Sequence, residues 1–205
     1  VDGPEAAWAF DDAARCALAA AERGDRVRVG LDAEWRDPHP LCLLQLAVAV
    51  GAAPATVFVV DFLASPSAQV RRRCRQLLLG TAGPLHEVYC FSPKEDLRRL
   101  RLVGVLAQGE GGPGGDARAL WTDLQQQDWG PGPRPPSLRW VVGTALGADL
   151  DKRLQASDWA ARPLARAQLR YAALDAAVLL RLGAVDVPIR GAVRAGGADG
   201  AATAQ

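Results

Sequence analysis

Asp32 and Glu34 close an apolar run, Val27-Arg28-Val29-Gly30-Leu31-Asp32-Ala33-Glu34-Trp35. On an extended strand alternate side chains share a face, so the two carboxylates project together from the strand's C-terminal end. Like charges held that close repel each other. A divalent cation relieves the repulsion, and carboxylate oxygens suit Mg²⁺ or Mn²⁺. Taken by itself, the pair also reads as a solvated Asp-x-Glu at a strand end. Asp175 adds weight, because it sits in Tyr171-Ala172-Ala173-Leu174-Asp175-Ala176-Ala177, an apolar helical stretch where an unpaired carboxylate is costly to bury. Tyr171 precedes it by four residues, one turn back on the same face, so phenol and carboxylate enter the same space. Seen alone, that spacing is also ordinary packing at a core edge. Asp96, in Lys94-Glu95-Asp96-Leu97, supplies a fourth acid on a predicted helix, a placement where most acids are simply exposed. Metal-assisted phosphoryl transfer needs such a set, since ions must be held while positions stay open for substrate and water.

Composition narrows the classes. With 205 residues, 49% of them apolar, the chain can bury one sizeable core, and one domain suffices. No apolar run reaches the length of about eighteen residues that a membrane span requires, and no basic-then-apolar leader opens the chain. A soluble, intracellular protein of cytoplasm or nucleus, with no membrane partner, is expected. A start at Val1 with no methionine predicts a piece of a longer polypeptide whose flanking domains lie outside it. Cys16, Cys42, Cys74 and Cys90 are scattered without a Cys-x-x-Cys pair, which argues against zinc or a disulfide framework and for reduced thiols buried as small hydrophobes. The net charge of +1 excludes a uniformly basic nucleic-acid binder, so any anionic partner must meet local patches.

The elements that must position these residues follow from periodicity. Helical spacing covers 5–23, with Gly24 as its stop, and leads into the acidic strand. Leu41–Val50, interrupted only by Gln45, and Thr56–Phe62 read as two further strands joined by short turns, a meander. Gln45 is expected to satisfy a neighbouring backbone group. Pro66–Leu79 is a predicted helix whose arginines, 71, 72, 73 and 75, form a solvated face. A short strand, Leu85–Phe91, precedes a helix opened by Pro93 that carries Asp96. Val105–Asp116 reads as a flexible Gly-rich loop and Leu120–Leu124 as a strand carrying Asp123. Ser137 is placed to cap a helix over Leu138–Leu146. Arg166–Leu182 is the strongest helix, with Leu169, Ala173, Ala176 and Leu180 on its apolar face, and beyond Gly183 a Gly/Ala-rich tail or linker is expected over 184–205. Domain 1–183 is therefore α/β with a mixed central sheet flanked by helices.

Asp32-x-Glu34, Asp96 and Tyr171-x-x-x-Asp175, in that order, resemble the three motifs of the DnaQ-like 3′–5′ exonucleases, in the subclass with tyrosine in the third motif. Leu43-Leu44-Gln45-Leu46-Ala47 and Val59-Val60-Asp61 are similar to the second and third strands of that family. The run from Ser137 through Leu150-Asp151-Lys152, Ser157-Asp158-Trp159, Arg162-Pro163-Leu164 and Gln168 to Tyr171 is similar to its ribonuclease D and Werner-exonuclease branch, above all to the Nibbler and mutator-type RNA-silencing exonucleases of animals. The sister subclass carries a histidine where this chain has Arg170, and the two histidines, His39 and His86, stand elsewhere.

The resemblance implies a ribonuclease H-like fold and removal of nucleotides from the 3′ end of single-stranded RNA or DNA, RNA favoured, releasing nucleoside 5′-monophosphates. It implies that Asp32, Glu34, Asp96 and Asp175 hold two Mg²⁺ or Mn²⁺ ions and that Tyr171 positions or helps deprotonate water. Ala33 and Trp35 beside the acids, and Lys152, Arg162, Arg166 and Arg170 near the last helix, are the candidate substrate contacts. Backbone phosphates would meet the cations, and a terminal base would stack on Trp35 unless that ring is buried. RNA-silencing proteins, reached through flanking domains, are the expected further partners. Two readings stay open beside it: a catalytically inactive nucleic-acid-binding module of the same fold, and a DNA-directed repair exonuclease.

Overall fold

A ten-residue strand, β1 (Val27–Arg36), forms the centre of the molecule in a computed structural model that describes residues 3–80 and 85–185. Its odd-numbered members Val27, Val29, Leu31 and Ala33 are buried in one hydrophobic cluster, while Gly30, Asp32 and Glu34 face the opposite side. The period-two reading of the sequence is the cause: one face is apolar enough to be covered, and the other ends in acids. β2 (His39–Val50) pairs antiparallel with β1, with Asp32 opposite Gln45 and Glu34 opposite Leu43. β3 (Thr56–Asp61) pairs antiparallel with β2. β4 (His86–Cys90) and β5 (Leu120–Asp123) then add in parallel on the other side of β1, so the sheet order is β3-β2-β1-β4-β5. The sheet is mixed, as expected, and the meander is its first half. β2 starts two residues earlier than the sequence suggests. Pro40 is tolerated there because pairing with β3 begins only at Leu43, so its missing N–H costs no bond on that side.

Helices cover both faces. α1 (Pro4–Glu22), α2 (Ala68–Leu79) and α3 (Lys94–Leu102) bury Phe10, Leu18, Val70, Leu77, Leu97 and Leu100 against the face that holds Leu44 and Leu46. Each leucine so buried stabilises the fold by roughly 1.5–3 kcal/mol, which makes this the main core. α4 (Leu138–Leu146), capped by Ser137 Oγ accepting the Trp140 N–H, and α5 (Arg166–Gly183) cover the face that carries the acids. α5 lies so close to the sheet that a Cβ on Gly30 would stand 2.3 Å from the Ala176 carbonyl oxygen. A bare glycine is what allows this approach.

Four expectations change. On α5 Ala176 and Leu180 are buried as expected, but Leu169 is 41% exposed, and Gln168, Tyr171, Ala172, Asp175 and Leu179 are buried instead. Cys16 is exposed, while Cys42, Cys74 and Cys90 are buried. The arginines of α2 make specific contacts rather than only a solvated face: Arg71 donates to the Val103 carbonyl, Arg73 to Asp11 and the exposed Arg75 to Glu110, with Arg72 exposed as well. Glu110 belongs to the Gly-rich loop, which is pinned rather than free, since the same carboxylate accepts the Ala107 N–H and Gly111 and Gly112 are buried beside Leu97. Apart from its first two residues, the expected tail over 184–205 lies outside the described residues.

Candidate active site

The C-terminal end of β1, the start of α3 and the middle of α5 converge on a cleft of about 300 Å³ lined by Asp32, Glu34, Asp96, Lys152, Tyr171 and Asp175, among others. Side-chain oxygens of Asp32, Glu34 and Asp175 lie within 4.8 Å of one another, the one such acidic group among the described residues. Asp96 enters from the first turn of α3. It is 7% exposed, against the expectation of a solvated helix acid, because α3 is folded onto the sheet by Leu97 and Leu100 on either side of the turn. The turn leading into α3 is fixed in its turn by Asp123 of β5, whose Oδ1 accepts the Ser92 N–H at 2.8 Å.

Concentrating acids in a dry cleft has an electrostatic cost. Burial, then the nearby charges of Asp96 and Asp175, push the Asp32 pKa well above the usual carboxylate range. Burial and the Asp32 charge push Glu34 up to about 9, and burial with Glu95 raises Asp96 to about 7. One cation offsets this. Lys152 Nζ lies 2.7 Å from Asp175 Oδ2 and 3.1 Å from the Tyr171 hydroxyl. The other Asp175 oxygen, Oδ1, is buried with no hydrogen-bond partner. Burial, then the charge of Asp175, also raises the Tyr171 pKa, which keeps the phenol protonated. A buried, unbonded carboxylate oxygen facing two more carboxylates is a donor set that fits a hard divalent cation.

The remaining candidates separate. Ala33 sends its side chain into the core on the far face of β1 and meets the cleft only beside its two acidic neighbours. Trp35 is half-buried and lines the cleft, with the Arg99 guanidinium over its ring at 5.0 Å, so one ring face is taken. Lys152 is inside the acid cluster rather than out along a strand-binding surface. Arg162 is committed to Asp61 at the end of β3, with bonds of 2.5 and 2.6 Å, and to the carbonyls of Trp159 and Ala161. Burial would raise the Asp61 pKa, but Arg162 and the N–H groups of Leu63 and Ala64 outweigh it and hold the carboxyl below its ordinary value. Arg166 and Arg170 stand exposed on the outer side of α5. His86 is buried under α2, bonded to the Leu77 carbonyl, far from any role in the cluster.

Sequence reasoning passed over the groups that fix α5. Asp61 and Arg162 tie the segment before the helix to β3. Gln168 accepts the Ala165 N–H and donates to Ser157 Oγ and the Asp158 carbonyl, locking the first turn onto the preceding loop. Trp159, 1% exposed, packs its ring 5.8 Å from that of Tyr171. Asp61 and the residues of Ser157-Asp158-Trp159…Arg162-Pro163…Gln168 all stand in the sequence motifs; the pairing of Asp61 with Arg162, about a hundred positions apart, does not.

The profile of the 3′–5′ exonuclease family matches residues 115–184. The exonuclease mut-7 homologue of Drosophila melanogaster is 32% identical in an alignment of 167 residues that covers 73% of this chain and 25% of that protein. This chain therefore spans about a quarter of that relative's length. The Nibbler exonuclease domain of Aedes aegypti superposes with a TM-score of 0.59 at 23% identity, covering 83% of this chain and 81% of the other. Escherichia coli RNase D, described as an exoribonuclease involved in structured RNA processing, superposes with a TM-score of 0.58 at 23% identity, over 85% of this chain and 42% of that one. These likenesses share the ribonuclease H-like fold. With the family profile, the mut-7 homologue and the ordered acidic motifs, they identify the chain as a DnaQ-like 3′–5′ exonuclease domain of the ribonuclease D and Nibbler type.

Proposed function

We propose that this domain hydrolyses the terminal phosphodiester at the 3′ end of single-stranded RNA with the help of two Mg²⁺ or Mn²⁺ ions held by Asp32, Glu34, Asp96 and Asp175, releasing nucleoside 5′-monophosphates. The observation that carries the reading is Asp175 Oδ1, buried without a partner and grouped with the carboxylates of Asp32 and Glu34. When bound, the ions supply Lewis acidity toward water and toward the phosphate charge. The protein's own groups do the rest. The acids line the cleft at the end of β1, where the 3′ end of a strand would enter. Tyr171, held as a neutral phenol, orients the attacking water by hydrogen bonding rather than by taking its proton as phenolate. Lys152, bridging Tyr171 and Asp175, holds its ammonium at the cleft, where it would face the anionic phosphate.

RNA is favoured over DNA because the superposing RNase D is described as an exoribonuclease and the mut-7 and Nibbler relatives share the branch. Partners of RNA silencing would be met through segments beyond this domain. Single-stranded RNA labelled at its 5′ end, incubated with the domain and Mn²⁺, should give a ladder shortening from the 3′ side that EDTA abolishes. Intact RNA with a gel shift would favour the inactive binding module, and faster digestion of DNA of the same sequence would favour a repair role.

A further inference from the structure

Gln45 is the one fully polar side chain in the middle of β2, and it is 0% exposed with neither its amide oxygen nor its amide nitrogen hydrogen-bonded. The expected bond to neighbouring backbone is not made. An amide buried without partners costs more than an apolar side chain of the same shape, so a core position under no other demand would carry leucine or methionine. Its surroundings are otherwise apolar: on the same face of β2, Leu43 packs with Tyr171 and Ala172, and Ala47 packs with Ala176 and Leu179. Gln45 thus lies under α5 between those levels, the stretch of helix that carries Asp175. On the adjoining strand its register partner is Asp32. Residues directly opposite in an antiparallel pair project to the same face with Cβ atoms about 4.5–5.5 Å apart, so a glutamine amide reaches an aspartate across the ladder.

We infer that Gln45 is a positioning residue for the acidic site, its amide N–H donating to the Asp32 carboxylate oxygen that is turned away from the bound cation. The inference rests on Asp32 being a cation ligand, as proposed above. A ligating carboxylate with one oxygen on a cation leaves the other to be oriented, and a donor fixed in the strand next door fixes its rotamer. The unpartnered amide of Gln45, buried opposite Asp32 on the adjoining strand, is the group placed to do this.

Gln45→Met and Gln45→Leu remove the amide and keep an apolar side chain of similar bulk. Both are expected to melt higher than wild type in EDTA, having lost two unpartnered polar atoms, and to bind Mn²⁺ about 10–100-fold more weakly by calorimetry without RNA, the usual effect of removing a group that orients a ligand. A merely structural glutamine would not move the two readouts in opposite directions. Wild-type Mn²⁺ affinity in both variants overturns the inference, and so does a lower melting temperature in both, which would mean the amide already bonds in the cation-free core. Asp32→Ala, titrated alongside, separates the failures: if it binds Mn²⁺ like wild type the acidic site itself is misassigned, and if it loses Mn²⁺ while the Gln45 variants keep it, only the role of Gln45 falls.

Discussion

Lys152 Nζ stands 2.7 Å from Asp175 Oδ2, and through that contact a lysine from the loop before α5 neutralises the acid at the helix's centre. Among the described residues, the ammonium is the one cation lining the cleft that gathers Asp32, Glu34 and Asp175. Lys152→Met should therefore destabilise the cation-free domain by about 1–3 kcal/mol, the cost of leaving a buried polar group without its partner. Added Mn²⁺ should recover most of that loss. Thermal melts with EDTA and with Mn²⁺ check it, and equal losses in both would show that the lysine does not share the acids with a cation.

Stability should depend on pH in a direction set by the raised carboxyls. Burial holds Glu34 near 9 and Asp96 near 7, each above its ordinary value of 4.5 or 3.8. A group whose folded pKa is raised stabilises the fold below its unfolded pKa and loses that contribution as pH rises through the folded value. The cation-free domain should thus melt progressively lower from pH 5 to 9, whereas Mn²⁺, which favours the ionised acids, should flatten the curve. Parallel curves with and without Mn²⁺ would contradict this.

The close approach of α5 to β1 at Gly30 predicts a sharp response to one methyl group. In Gly30→Ala the new Cβ meets the Ala176 carbonyl, a backbone atom that moves only with the helix. Overpacking of this kind typically costs about 1–3 kcal/mol. Because Asp175 sits one residue before Ala176 and Asp32 two after Gly30, activity should fall beyond what the lost stability explains when assayed well below the melting temperature.

Arg162 separates a substrate contact from a structural one. Its guanidinium is bound to Asp61 and two carbonyls, so Arg162→Ala and Asp61→Ala should lower the melting temperature similarly, with strong non-additivity in the double variant. KM for RNA should stay near wild type. A raised KM in Arg162→Ala but not in Asp61→Ala would assign the arginine to phosphate binding.

Much of this site is legible in the sequence alone. Alternation along Val27–Trp35 put Asp32 and Glu34 on one face, and the four-residue spacing of Tyr171 and Asp175 put them on one ridge, because both follow from local backbone geometry. Ala176 and Leu180 lie on the buried side of α5 as their spacing predicts, but Leu169 does not, since several apolar ridges satisfy the same period. What escaped depends on distant partners: Gly30 under Ala176, Asp61 with Arg162, Arg75 with Glu110 of a loop that composition alone marks as flexible. Lys152 and Gln45 were visible as residue types, but not as the ammonium among the acids or as an amide with no partner.

The central claim, that the acids of β1, α3 and α5 hold cations for hydrolysis while Tyr171 only orients water, is tested most directly by single-turnover digestion of 5′-labelled RNA with Mn²⁺, comparing wild type, Asp175→Asn and Tyr171→Phe. The neutral amide lacks the negative charge that holds an ion among these acids, so Asp175→Asn should fall to background. Tyr171→Phe loses one positioned hydroxyl and should slow by about 10²–10⁴-fold while remaining detectable, with unchanged Mn²⁺ affinity. An Asp175→Asn enzyme that digests RNA at the wild-type rate would contradict the account.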